Sequence, residues 1–182
     1  LVGGKWTTFR AFSEQVADKV LGFLGKSRQM TTENTPIGGG KDYPRTEAAR
    51  ELWLKQVQSS TSISMERLQT LFERYGTRAE VIAQFIMAEQ DTPLRHQPTY
   101  SQREIMFLVA NESVIHLEDI ILRRSLIGML GLIDGDGLQQ LGEIVGGVLG
   151  WSAAQNQQEI ERTADILQHK HGVPAERLTI PA

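Results

Sequence analysis

Five residues near the start of the chain have the types and spacing to do chemistry on an anion: Gly3, Gly4, Lys5, Thr7 and Thr8, within "LVGGKWTTFR". Paired glycines let backbone come close to a ligand, a helix start offers N–H groups with partial positive charge, and the lysine adds a full one. That combination suits a phosphate or the edge of a flavin. The same string also fits an ordinary helix cap beside a solvated lysine, and spacing alone favours this plainer reading. A P-loop is excluded, because its lysine is followed directly by Ser or Thr, whereas Trp6 follows Lys5 and Asp42 follows the lysine of "GGGK" at 38–41.

Other candidate centres are weaker. "DGDG" at 134–137 has the look of a calcium loop, but Leu138 stands where an oxygen ligand belongs and Glu143 comes too early to close the site, so a turn with Asp136 as a helix cap is expected. His169 and His171, two apart, point to different faces of a helix. His96 falls in a loop and His116 at a helix start. No metal site is expected, and with no cysteine and no nucleophile–histidine–carboxylate spacing a self-contained hydrolase has little support. "HLEDIILRR" sets Glu118 and Asp119 ahead of Arg123 and Arg124, the order a helix dipole prefers, and structural ion pairing is its default reading. The alternative is a helix resting on a membrane surface with its arginines near anionic head groups.

The elements that must position these residues are helices. Phe9, Phe12, Val16, Val20 and Phe23 recur at threes and fours, predicting a helix over Thr8 to Leu24, capped by Thr7 or Thr8 and closed by Gly25. From Ser27 to Arg45 the pattern dissolves into polar residues, two prolines and "IGGGKDYP", the place for a seam between two structural units. Helices follow from Thr46 to about Val57 and from Met65 to Tyr75, the latter ended by Gly76. Thr77–Glu80 and Ser101–Glu104 both have the capping-box spacing and predict two more helix starts. Further helices are expected from Leu117 to about Leu130, from about Leu138 to Leu149, and from a Ser152/Gln155 cap to Gly172. Only Leu1-Val2 reads as strand, so the body is all-α, without a fixed-period repeat.

Composition sets the limits. A chain of 182 residues, 40% hydrophobic, can bury a core without staples, and zero cysteines agree with a reducing compartment. The net charge of −3, with 19 basic against 22 acidic residues, supplies no field for nucleic acid. The richest apolar stretch, Leu117 to Ile133, is interrupted by four charges and falls short of the roughly 20 residues that span a bilayer.

Taken in order, "GGKWTTFR", "LFERYG" with "AEVIAQF", "REIMFLVANE" leading to "HLEDIILRR", and "LGEIVGGVLGW" with "EIERTADIL" resemble the C-terminal portion of the FAD-dependent glycerol-3-phosphate dehydrogenases of the aerobic, quinone-linked type. The resemblance runs from Val2 to about His169. It implies a flavoprotein that oxidises sn-glycerol 3-phosphate to dihydroxyacetone phosphate and passes electrons onward, usually to membrane quinone, with oxygen the alternative acceptor. It implies that Gly3, Gly4, Thr7 and Thr8 bind the cofactor and that Lys5 is the active-site lysine, near the substrate phosphate or the developing flavin charge. Phe9 stands where the motif often has tyrosine, and Arg10 matches without an assignable role.

Residues 1–30 are then the C-terminal edge of an FAD-binding domain, a residual strand-turn-helix, and residues 31–182 a multi-helix cap bundle. Because neither an initiator methionine nor the dinucleotide-binding glycine fingerprint occurs here, the expectation is a fragment that is inactive and holds no FAD by itself. Its implied partners are the upstream FAD-binding domain, glycerol 3-phosphate, quinone and a second copy in a homodimer. The implied location is cytoplasmic, with peripheral contact on the inner face of the membrane. The competing reading is an autonomous helical protein-interaction or membrane-docking module without catalysis.

Overall fold

The computed structural model describes residues 5–179, which contain eight α-helices, a π-helical segment and no strand. The all-α expectation holds. The anticipated strand at Leu1-Val2 lies outside the described residues. The chain divides into two compact units at Tyr43/Pro44.

In the first unit, a 3-10 turn, Trp6–Thr8, leads into α1, Phe9–Phe23, which ends at Leu24 and the left-handed Gly25 (φ 66°). Thr8 occupies the N-cap position of α1 but makes no capping bond, a correction to the expected cap; its hydroxyl donates backwards to the carbonyl of Lys5 at 2.8 Å. No residue of α1 is buried. The polar segment after the helix is tied to α1 through Glu14, whose carboxylate accepts from the Thr31 hydroxyl (2.8 Å) and the Thr32 amide (2.6 Å) and pairs with Arg28 (2.8 Å).

The second unit holds every buried residue among those described, in two clusters. Helices α2 (Glu47–Thr61), α3 (Met65–Tyr75) and α4 (Ala79–Met87) surround Leu54, Leu68, Leu71, Phe72 and Ile82. Helix α5, Gln102–Asn111, is buried nearly all round and serves both clusters: Phe107 enters the first, while Ile105, Leu108 and Val109 enter the second. The second cluster is completed by the π-helix Asp119–Arg124 and by α6 (Gly135–Leu149), α7 (Ala153–His171) and the short α8 (Ala175–Leu178).

Local chemistry explains most boundaries. Thr46, Ser64 and Ser101 each accept the N3 amide of the helix they start, and Ser152 with Gln155 forms both halves of a capping box. Gly150 and Gly172 end α6 and α7 in the left-handed conformation. Helix α6 can lie close to α7 because Gly142 has no side chain: a Cβ there would meet Ile160 at 2.8 Å.

Four expected boundaries differ. Helix α2 continues past Val57 to Thr61. The chain enters α4 through a 3-10 turn, Gly76–Arg78, so Arg78 rather than Thr77 is its N-cap. Asp134, not Asp136, caps α6, accepting the Gly137 amide at 2.7 Å. The long helix expected over Leu117 to Leu130 is a six-residue π-helix that stops at Ser125, whose hydroxyl donates to the Ile120 carbonyl (2.7 Å) and accepts the Ile127 amide (3.3 Å). A serine that bonds the backbone in this way competes with helix propagation.

Candidate functional site

The structure brings Lys5, Thr7 and Thr8 together in one turn. Lys5 is exposed, its carbonyl accepts both the amide (3.2 Å) and the hydroxyl (2.8 Å) of Thr8, and Thr7 lies inside the same 3-10 turn with its side chain in solvent. Gly3 and Gly4 lie outside the described residues. The first turn of α1 carries no acidic residue, so nothing in it neutralises the positive end of the helix or the Lys5 ammonium. Such a donor set fits the anionic edge of a flavin or a phosphate, and it offers no general base: within the turn there is a lysine, two hydroxyls and backbone amides.

One feature of this unit was not visible in the sequence. Glu14 gathers the Thr32 amide first, then the Thr31 and Thr32 hydroxyls and Arg10, and these hold its carboxyl down at about 2. It fixes the segment following α1 against the helix that carries the Lys5 turn at its other end.

In the second unit the charged residues are anchored to one another across long stretches of chain. Glu104 is fully buried and accepts from Arg67, from Arg74 at 3.0 Å and from the Tyr75 hydroxyl at 2.7 Å. Burial and then the neighbouring carboxylate push the Tyr75 hydroxyl far above the ordinary tyrosine range. The Ser101 box is therefore half formed: Ser101 accepts the Glu104 amide, but the Glu104 side chain turns inward instead of back to the cap. Arg103, also buried, donates to the Phe85 carbonyl at the end of α4 through Nε (3.0 Å) and Nη2 (2.8 Å) and stacks over the Phe85 ring. With three donors converging on Glu104 and its environment closed to solvent, this network is structural.

"HLEDIILRR" is pinned in the same manner. Burial alone would raise the Asp119 carboxyl, but the amides of His116 (2.9 Å) and Ile115 (3.0 Å) and the Arg123 guanidinium outweigh it and hold it below the ordinary aspartate range. Glu118 pairs with Arg162 of α7, and Glu159 of α7 accepts the Leu117 amide (3.1 Å) and contacts His116 Nδ1 (3.0 Å). The default of structural ion pairing describes Glu118, Asp119 and Arg123; Arg124 gives its Nε to the Glu112 carbonyl instead (2.7 Å). At the "DGDG" turn His96 lies between Asp134 (2.9 Å) and Asp136 (3.6 Å). Among the described residues no three His, Cys, Asp or Glu are grouped to hold a metal ion, and no helix is long and apolar enough to cross a membrane.

The family profile described as the C-terminal domain of alpha-glycerophosphate oxidase matches residues 30–156. Over 167 residues the chain is 29% identical to glycerol-3-phosphate dehydrogenase 2 of Mycobacterium tuberculosis, covering 88% of this chain and 27% of that protein. It is 28% identical to the mitochondrial glycerol-3-phosphate dehydrogenase of Mus musculus (94% of this chain, 24% of the relative) and 28% identical to the glycerol-3-phosphate dehydrogenase of Synechocystis (92% and 30%). The chain thus spans about a quarter to three tenths of the length of these relatives.

Proposed function

The chain belongs to the family of the C-terminal domain of alpha-glycerophosphate oxidase, and from that premise we propose that it is the C-terminal part of a flavoprotein that oxidises sn-glycerol 3-phosphate to dihydroxyacetone phosphate. The observation that carries the proposal is coverage: the family match takes in residues 30–156, and relatives named glycerol-3-phosphate dehydrogenases align over 88–94% of the chain. Residues 1–30 are assigned to the edge of the FAD-binding domain. Residues 31–182 are assigned to the helical cap, with a role in forming a homodimer.

FAD, when bound, supplies the acceptor for the hydride that leaves the substrate carbon bearing the secondary hydroxyl. The contribution of this chain is positive charge and backbone donors at one edge of that group. Gly3 and Gly4 let backbone approach it, and Thr7 and Thr8 present the helix start. Lys5 neutralises the substrate phosphate or the charge that builds on the cofactor during transfer. The absence of an acidic residue from the first turn of α1 supports this assignment, because a carboxylate there would oppose both anions. Quinone is the proposed electron acceptor, reached from a cytoplasmic position peripheral to the inner face of the membrane.

The test is the natural full-length protein, assayed for bound flavin and for glycerol 3-phosphate-dependent reduction of a quinone analogue. Lys5→Ala is expected to lower kcat/KM by about 100-fold, the weight of one well-placed electrostatic donor, with Lys5→Arg recovering part of it. A full reading frame without a dinucleotide-binding fingerprint, or a protein that purifies without flavin and ignores glycerol 3-phosphate, overturns the reading. The 182 residues alone are expected to bind no FAD and to turn over no substrate.

One observation favours a second reading, an interaction or membrane-docking module. Helix α1 buries none of its residues and leaves Phe9, Phe23 and Leu24 exposed by 53%, 90% and 64%. In the dehydrogenase reading the upstream domain covers that face. A chain that self-associates in light scattering through α1, or sediments with anionic liposomes, while the full-length protein lacks activity, would favour the module.

A further inference from the structure

A hollow of 580 Å³ opens between the end of α3 and the end of the π-helix. Arg74, Arg123 and Arg124 contribute to its wall, together with Glu73, Tyr100 and Leu126. Three arginines from two elements therefore border one cavity. Each is tied along one edge. Arg74 uses Nη1 for the Thr99 carbonyl (2.8 Å) and Glu104, and its guanidinium carbon sits 3.6 Å from the centre of the Tyr100 ring. Arg123 uses Nη1 for Asp119, and Arg124 uses Nε for the Glu112 carbonyl.

What remains is a set of uncommitted donors. Among the described residues no protein acceptor lies within hydrogen-bond reach of Nη2 of Arg74, Nη2 of Arg123 or either terminal nitrogen of Arg124. Glu104 offsets the charge of Arg74, and Asp119 and Glu118 (3.7 Å) that of Arg123, but among the described residues Arg124 has no acidic partner within 4 Å, and Glu73 pairs with none of the three. Guanidinium groups held in this way have lost much of their side-chain freedom before a ligand arrives, which lowers the ordering cost of binding.

We propose that this hollow is a binding site for a small organic phosphate monoester. A phosphate dianion presents three peripheral oxygens that separate guanidinium edges can share, and such charge-assisted bonds are the strong ones. Leu126, 45% exposed, supplies an apolar wall that inorganic phosphate would leave unused, and the volume lies in the range of small-molecule sites. The site belongs to the second unit and stands independently of the oxidation assigned above.

The experiment titrates phenyl phosphate, and separately inorganic phosphate, into the isotope-labelled 182-residue chain, followed by amide shifts and by calorimetry. Phenyl phosphate is expected to saturate shifts of the Ser125 and Leu126 amides at millimolar concentration or below, and to bind more tightly than inorganic phosphate. Arg124→Gln should weaken it by about tenfold, the loss of one charge-assisted contact. Glu73→Gln removes an opposing charge and should tighten it several-fold, a gain that a misfolded variant cannot mimic. Absence of a saturable shift at these amides overturns the proposal. So does a dissociation constant unmoved by both substitutions, and so does inorganic phosphate binding as tightly as phenyl phosphate.

Discussion

A carboxylate with no exposed surface persists in a folded protein only when donors replace the water it has lost. Glu104 has Arg67, Arg74 and the Tyr75 hydroxyl in that role, all three from α3. Glu104→Gln leaves two arginines half buried without their counter-charge, and thermal or denaturant unfolding is expected to show a loss of about 3–5 kcal/mol. Glu14 makes a different prediction. Its carboxyl is held at about 2 against an ordinary 4.5, so the bonds to Thr31, Thr32 and Arg28 persist above pH 4.5 and are lost as pH falls toward 2. The Thr32 amide resonance, followed by NMR, should move through a titration centred near pH 2; a midpoint near 4.5 would mean that the tether does not form in solution. None of these pairings is local in sequence. Glu104 meets Arg67 across 37 positions and Glu118 meets Arg162 across 44, and no helical period or capping spacing encodes such distances.

At the scale of elements, what could be read from the sequence is what local chemistry decides. The apolar period located α3, and caps located α5 and α7, because Ser101, Ser152 and the left-handed Gly172 act within four residues of themselves. The π-helix was missed because its arrest depends on the Ser125 hydroxyl and on tertiary bonds such as the Leu126 amide to the Tyr100 hydroxyl (3.0 Å). Asp136 gave way to Asp134 because α6 starts at Gly135, ahead of the expected Leu138, which puts Asp134 at the N-cap and Asp136 inside the first turn. The close packing of α6 on α7 yields a sharper test. Gly142→Ala places a methyl 2.8 Å from the Ile160 side chain, and overpacking of this kind is expected to cost about 1–3 kcal/mol in chemical denaturation. Gly147→Ala, on the same helix with nothing within 4 Å of the added carbon, should be neutral or slightly stabilising.

For the whole molecule, the uneven distribution of burial matters most. All buried residues among those described belong to the unit that begins at Pro44, while α1 contributes none. A chain of residues 44–182 is therefore expected to unfold cooperatively, with stability within about 1 kcal/mol of the full 182 residues, as measured by circular dichroism. The functional residues proposed at the start of the chain lie in the unit that holds no buried residue among those described, so in the proposed dehydrogenase their pose depends on the FAD-binding domain packed around them. Within the helical body, α5 sends Phe107 one way and Leu108 the other. Two apolar interiors thus share α5 as a keystone, with Tyr75 of α3 packed against both. Excising that keystone would not leave a pair of smaller bundles, and amide exchange should find both interiors opening in the same rare event rather than in sequence.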